Sequence, residues 1–278
     1  MAARRQAQTQ APGVQHEHGG GRSQGPAHGQ GIGVGLYLLT VGGGPPGRTA
    51  GPAIATPPSL RDAVKTAAGT GTGGQSPQSY VVTLPAYSAG DLVILHVLWN
   101  SLSLGVPATP SGWTRPRVAV QSGAGSSVKT SVFTRVMAGN EGSTVTVSES
   151  SVSQAGFSAA ASSWRPVNQA GPIPSANGAS SLSSLTGTWT GGAVTIPATG
   201  CIVATVVTAQ TSTDFVPTNP ATLAYDFLDS SGVIFGTSYR FGLATYQPAA
   251  LGSNAASGTL VGGVTCQWGG IGLALQGV

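Results

Sequence analysis

Short alternating or wholly apolar runs, each ended by a turn, follow one another along this chain from Tyr80 onwards. A side-chain period of two is that of a β-strand, whereas a helix needs apolar residues three or four positions apart. The 43 glycines and 19 prolines supply turns between the runs. The pattern predicts an all-β chain, with six strands by residue 165: SYVVTLPA, DLVILHVLW, TRPRVAV, VKTSVFTRVM, STVTVSES and AGFSAAASSWR.

The second part of the chain resembles the first at a nearly constant offset. Gly90 and Gly200 are 110 residues apart, and Phe133 and Phe241 are 108 apart. Such an offset indicates an internal duplication, in which these residue pairs would superpose. The matched segments are AGDLVILHVLW with TGCIVATVVTA, TSVFTRV with SYRFGLAT, STVTVSE with SGTLVGG, and GFSAAASSW with GGIGLALQ.

Ten to twelve strands of this kind are within the size of one β-sandwich domain. The stretch between the two copies, residues 168–188, is short and partly apolar, which favours one domain over two. We therefore predict a jelly-roll-like antiparallel β-sandwich over residues 56–278, with related halves at about 80–167 and 190–278.

The composition of residues 1–55 predicts that they form an extended Gly/Pro-rich N-terminal arm. Residues 1–31 contain almost no side chain that could pack, so burial cannot offset the entropy of ordering them. The segment Ile32–Val41 differs, because its apolar residues suit a strand added to the sheet edge of a neighbouring subunit. Its large side chains are the candidate assembly residues: Leu36, Tyr37, Leu38 and Leu39. The arm is thus predicted to anchor the body in a homo-oligomer or on another protein.

The positive charge is concentrated in the arm. It holds four arginines against one glutamate, whereas the rest of the chain holds eight basic and seven acidic residues. Because the body is nearly neutral, any electrostatic attraction to a polyanion belongs to the arm, and no nucleic-acid partner is expected. The arm also contains His16, Glu17, His18 and His28. In a Gly-rich arm these residues favour a solvated tail, and the less favoured alternative is an opportunistic affinity for a transition metal. We expect no dedicated metal and no cofactor.

Residues suited to catalysis are few. Only 7% of the residues are charged, and the one histidine of the body, His96, lies inside an apolar run without a nucleophile or carboxylate motif around it. Asp214, Asp226 and Asp229 cluster in sequence but lack the spacing of a calcium loop, and Asp229 begins a turn-like Asp-Ser-Ser-Gly. No glycine motif of a nucleotide site is present. The chain is predicted not to be an enzyme.

Two further features bear on the environment of the chain. Cys201 and Cys266 lie in separate apolar runs, which favours buried free thiols over a disulfide. No run of 18 apolar residues exists, and the N-terminus lacks the apolar core of a secretion signal. We therefore expect no membrane span and no cleaved leader.

The segment TPSGWTRPRV places Trp113 directly after a Pro-Ser-Gly turn. At the start of a strand, a large ring can cover the open end of a sandwich core, or it can be exposed as a platform for a ligand. The position favours the structural plug, and the platform stays the alternative.

The first half of the body contains, in this order, the segments LP, AGDLVILHV, GWT, TSVFTRVMAGNEGSTVTVS and AGFSAAASSWRPV. This order of segments resembles β-sandwich modules in virion proteins of tailed bacteriophages and gene transfer agents. Such modules occur in head decorations, head fibres and tail accessory proteins. The resemblance covers residues 80–167, and reaches 190–278 only through the duplication. It implies Trp113 and Trp164 as fold markers and carries no catalytic set.

The resemblance implies a structural virion protein: a capsid decoration or cement, head-fibre or tail accessory subunit. Its partners would be major capsid or tail proteins, and it would join the particle in the cytoplasm of a bacterial host. The alternative is a host adhesin that binds surface glycans through exposed Trp99, Trp189 or Trp268. Burial of these rings would argue against that alternative.

Overall fold

The computed structural model describes residues 55–70, 78–100, 106–117, 120–121, 128–149, 156–181, 187–231 and 238–278. Within these residues the chain forms seventeen β-strands and one 3-10 turn, without an α-helix. All the strand pairings found there are antiparallel. The predicted all-β antiparallel class is confirmed. Predictions for residues 1–54, including Leu36, Tyr37, Leu38 and Leu39, lie outside the described residues.

The strands divide into two sets, which we call the first and second half. The first half contains β1 (Ser59–Thr70), β2 (Gln78–Thr83), β3 (Leu92–Asn100), β4 (Val120–Gln121), β5 (Val128–Val136), β6 (Thr144–Glu149) and β7 (Gly156–Arg165). The second half contains β8 (Ser175–Ser181), β9 (Thr188–Thr190), β10 (Val194–Ile196), β11 (Cys201–Ala209), β12 (Phe215–Pro217), β13 (Thr222–Asp229), β14 (Tyr239–Tyr246), β15 (Gly252–Asn254), β16 (Ser257–Leu260) and β17 (Trp268–Gln276), with the 3-10 turn at Val261–Gly263.

Each half is built on a five-stranded sheet with the same arrangement. The first sheet has the order β1-β7-β3-β5-β4, and the second has the order β8-β17-β11-β14-β13. The middle strands are the two apolar segments that the sequence matched, β3 and β11. Smaller pairings cover the outer faces: β2-β6 in the first half, and β12-β16-β9 with β10-β15 in the second.

The two large sheets pack face to face, so the body has four layers. Both faces of β3 and β11 are buried, which explains their nearly continuous apolar sequences. The central core between the large sheets contains Leu92, Ile94, Leu98, Val132, Ala160, Trp164, Val167, Ile202, Ala204, Val206, Tyr225, Tyr239, Phe241, Leu243, Ile271, Leu273 and Leu275. A first outer core lies under β2 and β6, and a second lies under the small strands of the second half.

The strand registers correct one predicted superposition. Phe133 is opposite Leu95 on β3, and Ala244 is opposite Thr205 on β11, the residue 110 positions after Leu95. The equivalent of Phe133 is therefore Ala244, and the prediction that it superposes on Phe241 is wrong by three residues. The shift changes the face, because Phe133 packs in the first outer core and Phe241 in the central core.

One predicted strand is interrupted. In TRPRVAV, Thr114 forms an isolated bridge to Thr134, the described residues 115–117 are not in a strand, and Val120 begins the two-residue strand β4. Pro116 has no amide hydrogen to donate to a ladder, which explains the interruption. Arg115 instead lies over the ring of Phe133, with its guanidinium carbon 5.0 Å from the ring centroid.

The same end of each half begins its middle strand with a glycine turn. Gly90 and Gly200 both have a positive φ, 83° and 78°. Gly90 lies two residues before the first residue of β3, and Gly200 lies directly before the first residue of β11. We call this end of the body the base and the opposite end the distal end. The bases adjoin, because the Asn168 amide, just after β7, donates to the Gln276 carbonyl oxygen at the end of β17, at 2.8 Å.

Candidate assembly site

The polypeptide enters the body at the base, beside the C-terminal residue. The Thr56 amide donates to the Val278 carbonyl oxygen at 2.5 Å. A Cβ on Gly277 would collide with the Thr56 carbonyl oxygen, and one on Gly200 would collide with Ala55. Two glycines therefore allow the first described residues to lie against the second half. The residues that precede Ala55 are therefore joined to the body at the base, and a partner that binds them would be connected to the body there.

The base of the first half carries a charged cluster that sequence inspection missed. The Asp91 carboxylate is fully buried, with Oδ2 2.6 Å from Arg61 Nη1 and Oδ1 3.4 Å from Arg165 Nε. The Oδ1 contact is an ion pair without hydrogen-bond geometry. The Ser88 amide also donates to Oδ2 at 2.7 Å. Both arginines stay partly exposed, so one buried negative charge holds two cations at the surface of the base.

A second charged turn lies between β5 and β6. The Glu141 carboxylate accepts hydrogen bonds from the backbone amides of Ala138, Gly139 and Asn140, and lies 3.2 Å from Arg135 Nη2. Desolvation acts to raise the pKa of Glu141, but the amides and Arg135 outweigh it, and the pKa is lowered. The Gly-Asn-Glu-Gly turn is therefore closed by its own side chain, not by a ligand.

Trp113 is buried, with 8% of its surface exposed, in the first outer core. Its amide donates to the Pro110 carbonyl oxygen at 3.0 Å, which forms the turn that delivers the ring. Trp164 lies in the central core and donates to Ser162 Oγ at 2.9 Å. The two residues implied as fold markers therefore occupy different layers and do not form one site.

The three tryptophans considered for sugar stacking are buried as well. Trp99 is 1%, Trp189 2% and Trp268 7% exposed. An indole stacks on a sugar only if one ring face is free. All five tryptophans of the chain thus serve the cores, which argues against an adhesin that uses them.

His96 lies in the interface between the two large sheets and is fully buried. Its Nε2 is 2.7 Å from Thr208 Oγ1, and its Nδ1 is 3.3 Å from Tyr225 Oη, both in the second half. Its ring also meets Phe241 edge-on, with the centroids 5.0 Å apart. Burial lowers the pKa of His96 to about 3. The imidazole is neutral and linked across the halves, which suits a structural role rather than proton transfer.

The acidic cluster separates in space. Asp214 and Asp226 both bind Arg240, whose Nε is 2.5 Å from Asp226 Oδ1. Desolvation raises the pKa of Asp226 despite this partner. Asp229 lies apart and accepts hydrogen bonds from the amide and hydroxyl of Ser231 at 3.1 and 2.7 Å. The pair that converges is neutralised by an arginine, and the third carboxylate closes a turn.

Both cysteines are buried free thiols in the second outer core, as the sequence favoured. Desolvation raises the pKa of Cys201, and raises that of Cys266 to about 11. Within the described ranges, no three His, Cys, Asp or Glu side chains come together to hold a metal ion. In the same part of the chain, no helix is long and apolar enough to cross a membrane.

The comparison with known proteins adds no relative. No protein-family model, no curated protein and no solved structure matches this chain.

Proposed function

We propose that this chain is a non-enzymatic structural subunit of a phage-like virion, anchored through its N-terminal arm. The observation that carries the proposal is the arm junction: Thr56, the first residue after the predicted arm of residues 1–55, lies at one end of the four-layered body, beside Val278. The segment Ile32–Val41 then supplies a strand for a neighbouring sheet edge. The particle context rests on the resemblance of residues 80–167 to virion modules.

The chemistry of the body supports a scaffold. The histidine is neutral and buried, the thiols are protonated and buried, and Asp91, Asp214 and Asp226 are paired with arginines. Catalysis needs ionisable groups that reach a substrate. In this body such groups hold strands and turns together. The proposed roles are capsid decoration or cement, head fibre, or tail accessory protein.

The proposed partners are major capsid or tail proteins and further copies of this chain. The exposed guanidinium groups of Arg61 and Arg165 lie at the base and supply positive charge near the junction. These guanidinium groups would attract acidic groups on the surface of a particle that is assembled in the bacterial cytoplasm. The attraction would weaken as the salt concentration increases.

Deletion of residues 1–54 tests the anchor. The truncation keeps the hydrogen bond between Thr56 and Val278, so the body should stay folded. Full-length and truncated proteins are each produced together with the remaining particle proteins, and the particles are sedimented. We expect the full chain in the particle fraction and the truncated chain in the supernatant. Equal incorporation of both would refute the anchor.

Two arm variants separate apolar docking from charge attraction. In the first, Leu36, Tyr37, Leu38 and Leu39 are replaced by serine. In the second, Arg4, Arg5, Arg22 and Arg48 are replaced by glutamine. Burial of each large apolar side chain contributes about 1.5–3 kcal/mol, so the serine variant should lose incorporation. The glutamine variant should retain it at moderate salt, since exposed charge pairs contribute about 1 kcal/mol or less each.

A further inference from the structure

A largely apolar cavity opens at the base of the second half, beside the arm junction. It has a volume of about 290 Å³. Its walls are Ile196 at the end of β10, residues 198–201 at the start of β11, and residues 247–251, which follow β14. None of these lining residues carries a charge. We call this space the base cavity.

In the first half, a methionine closes the corresponding place. Because Phe133 and Ala244 are equivalent in the strand registers, Pro248 is the counterpart of Met137, four residues further on. The Met137 amide donates to the Asp91 carbonyl oxygen at 2.8 Å. Its side chain is 2% exposed and packs in the first outer core. The turns at this end of the first half are thus joined by backbone and side chain alike.

Pro248 leaves the second half open at this place. A proline has no amide hydrogen, so the hydrogen bond of Met137 cannot form there, and its ring reaches less far than a methionine side chain. Ile196 and Cys201, which line the base cavity, belong to the second outer core. The cavity therefore leads into the core that a methionine closes in the other half.

The size and lining of the base cavity suit an apolar side chain from outside. Sites for free small molecules usually have volumes of about 300–1,000 Å³ and a few convergent polar groups, so this cavity is at the lower limit of that range. Leu251 lines it and is 57% exposed. An inserted leucine would be removed from water together with much of Leu251, which is favourable for both.

The N-terminal arm starts beside this cavity. Ala55 lies against Gly200, a lining residue, so closely that a Cβ on Gly200 would collide with it. Only 13 residues separate Val41 from Ala55. Extended, they would reach about 45 Å, and their Gly-Gly-Gly-Pro-Pro-Gly sequence permits a reversal of the chain. A segment on such a short tether is present at an effective concentration of about a millimolar, which favours the chain's own arm over a second copy in dilute solution.

We propose that, in the free subunit, the base cavity receives a leucine from the segment Ile32–Val41 of the same chain. The leucine takes the place that Met137 fills in the first half, and Leu251 covers it. This docking rests on the function proposed above, in which Ile32–Val41 is the part of the arm that binds a partner. It keeps the apolar segment out of water until a neighbouring subunit displaces it.

Photochemical crosslinking of the purified full chain tests the contact. Leu251→p-benzoylphenylalanine places a photoreactive ketone at the cavity. Val81→p-benzoylphenylalanine is the control, because Val81 is 61% exposed but lies on β2, in the outer layer of the first half. An equal mixture of unlabelled and isotope-labelled protein is irradiated at micromolar concentration, and the joined peptides are identified by mass spectrometry. We expect the probe at Leu251, and not the one at Val81, to crosslink to residues 32–41 of its own copy.

Two substitutions of Pro248, each combined with the probe at Leu251, test the cavity itself. Pro248→Met supplies the side chain that closes the first half, and should reduce the crosslink at least about fivefold, since the leucine of the arm loses its place of burial. Pro248→Ala removes the proline but leaves the cavity open, and should retain the crosslink. Thermal melts check that both variants fold. The serine variant of Leu36, Tyr37, Leu38 and Leu39 alters no residue of the body and should lose the crosslink as well.

Each other outcome would overturn the proposal. Crosslinks between labelled and unlabelled copies would make a second copy the occupant, and a crosslink to another segment, or none, would leave the arm undocked. An unchanged crosslink in folded Pro248→Met, or in the serine variant, would place the contact outside the base cavity. The purified protein contains no other particle component, so a failure here leaves the anchor tested by sedimentation intact, and a failure of that test leaves the docked arm intact.

Discussion

Acid should destabilise this protein through His96, and the size of the effect follows from its burial. The imidazole has an ordinary pKa of 6.5, which applies in the unfolded chain, and a pKa of about 3 in the folded body. The unfolded chain therefore takes up a proton between these values while the folded chain does not. The resulting stability is fully present above pH 6.5 and decreases as the pH falls towards 3.

The expected loss is large enough to measure. Each pH unit within this window contributes about 1.4 kcal/mol, so lowering the pH from 7.5 to 5.0 should remove about 2 kcal/mol of unfolding free energy. His96→Gln removes the titration while keeping an amide near Thr208. At pH 7.5 the variant should be less stable by about 1–3 kcal/mol, because the fit to Thr208 and Tyr225 is poorer.

Urea unfolding at constant ionic strength, at pH 7.5, 6.5, 5.5 and 5.0, measures both proteins. Carboxylates and the arm histidines titrate in wild type and variant alike, so the difference between the two curves isolates His96. We expect this difference to shrink by about 2 kcal/mol between pH 7.5 and 5.0. Parallel curves would refute the claim that burial keeps His96 neutral.

Three further predictions concern an ion pair, a glycine and the thiols. Arg240→Met should lower the unfolding free energy by about 1–3 kcal/mol, because the partly buried Asp226 carboxylate loses its cation, and adding Asp226→Asn should restore part of the loss in denaturant titrations. Gly200→Ala should lower the melting temperature more than Gly252→Ala; both have a positive φ, but only at Gly200 would the new Cβ also collide with Ala55. The two cysteines should be unreactive towards a thiol-specific chromophoric reagent in the folded protein and should both react in urea, since burial keeps them protonated; rapid reaction of either thiol without urea would contradict their burial.

The apolar runs predict the inner strands well. β3, β5, β7, β11, β14 and β17 all fall on segments that the sequence pattern singled out, because strands buried on one or both faces must be apolar or alternate. The edge strands β1 and β8 were missed. β1 carries Arg61, Asp62 and Lys65, and β8 reads SANGASS, so neither has an apolar signal. An edge strand is held by backbone pairing with its neighbour, which leaves little trace in side-chain type.

In the candidate assembly site, too, the sequence indicates some features and misses others. The sequence places the reactive residue types, and their isolation from one another along the chain already argued against catalysis. It could not show that Asp214 and Asp226 meet at Arg240, or that Asp91 lies between Arg61 and Arg165. Those contacts join different strands and turns, and no local pattern encodes them.

Strand period, turn composition and the offset of about 110 residues were readable from the chain alone, because they depend on neighbours in sequence. The face to which each residue points, the location of the arm junction at the base and the burial of every tryptophan depend on how the sheets pair and stack. A shift of one residue in pairing moves a side chain to the opposite face. Phe133 and Phe241 illustrate this: similar segments place them in different cores, because the strand registers, and not the residue types, decide which face each ring occupies.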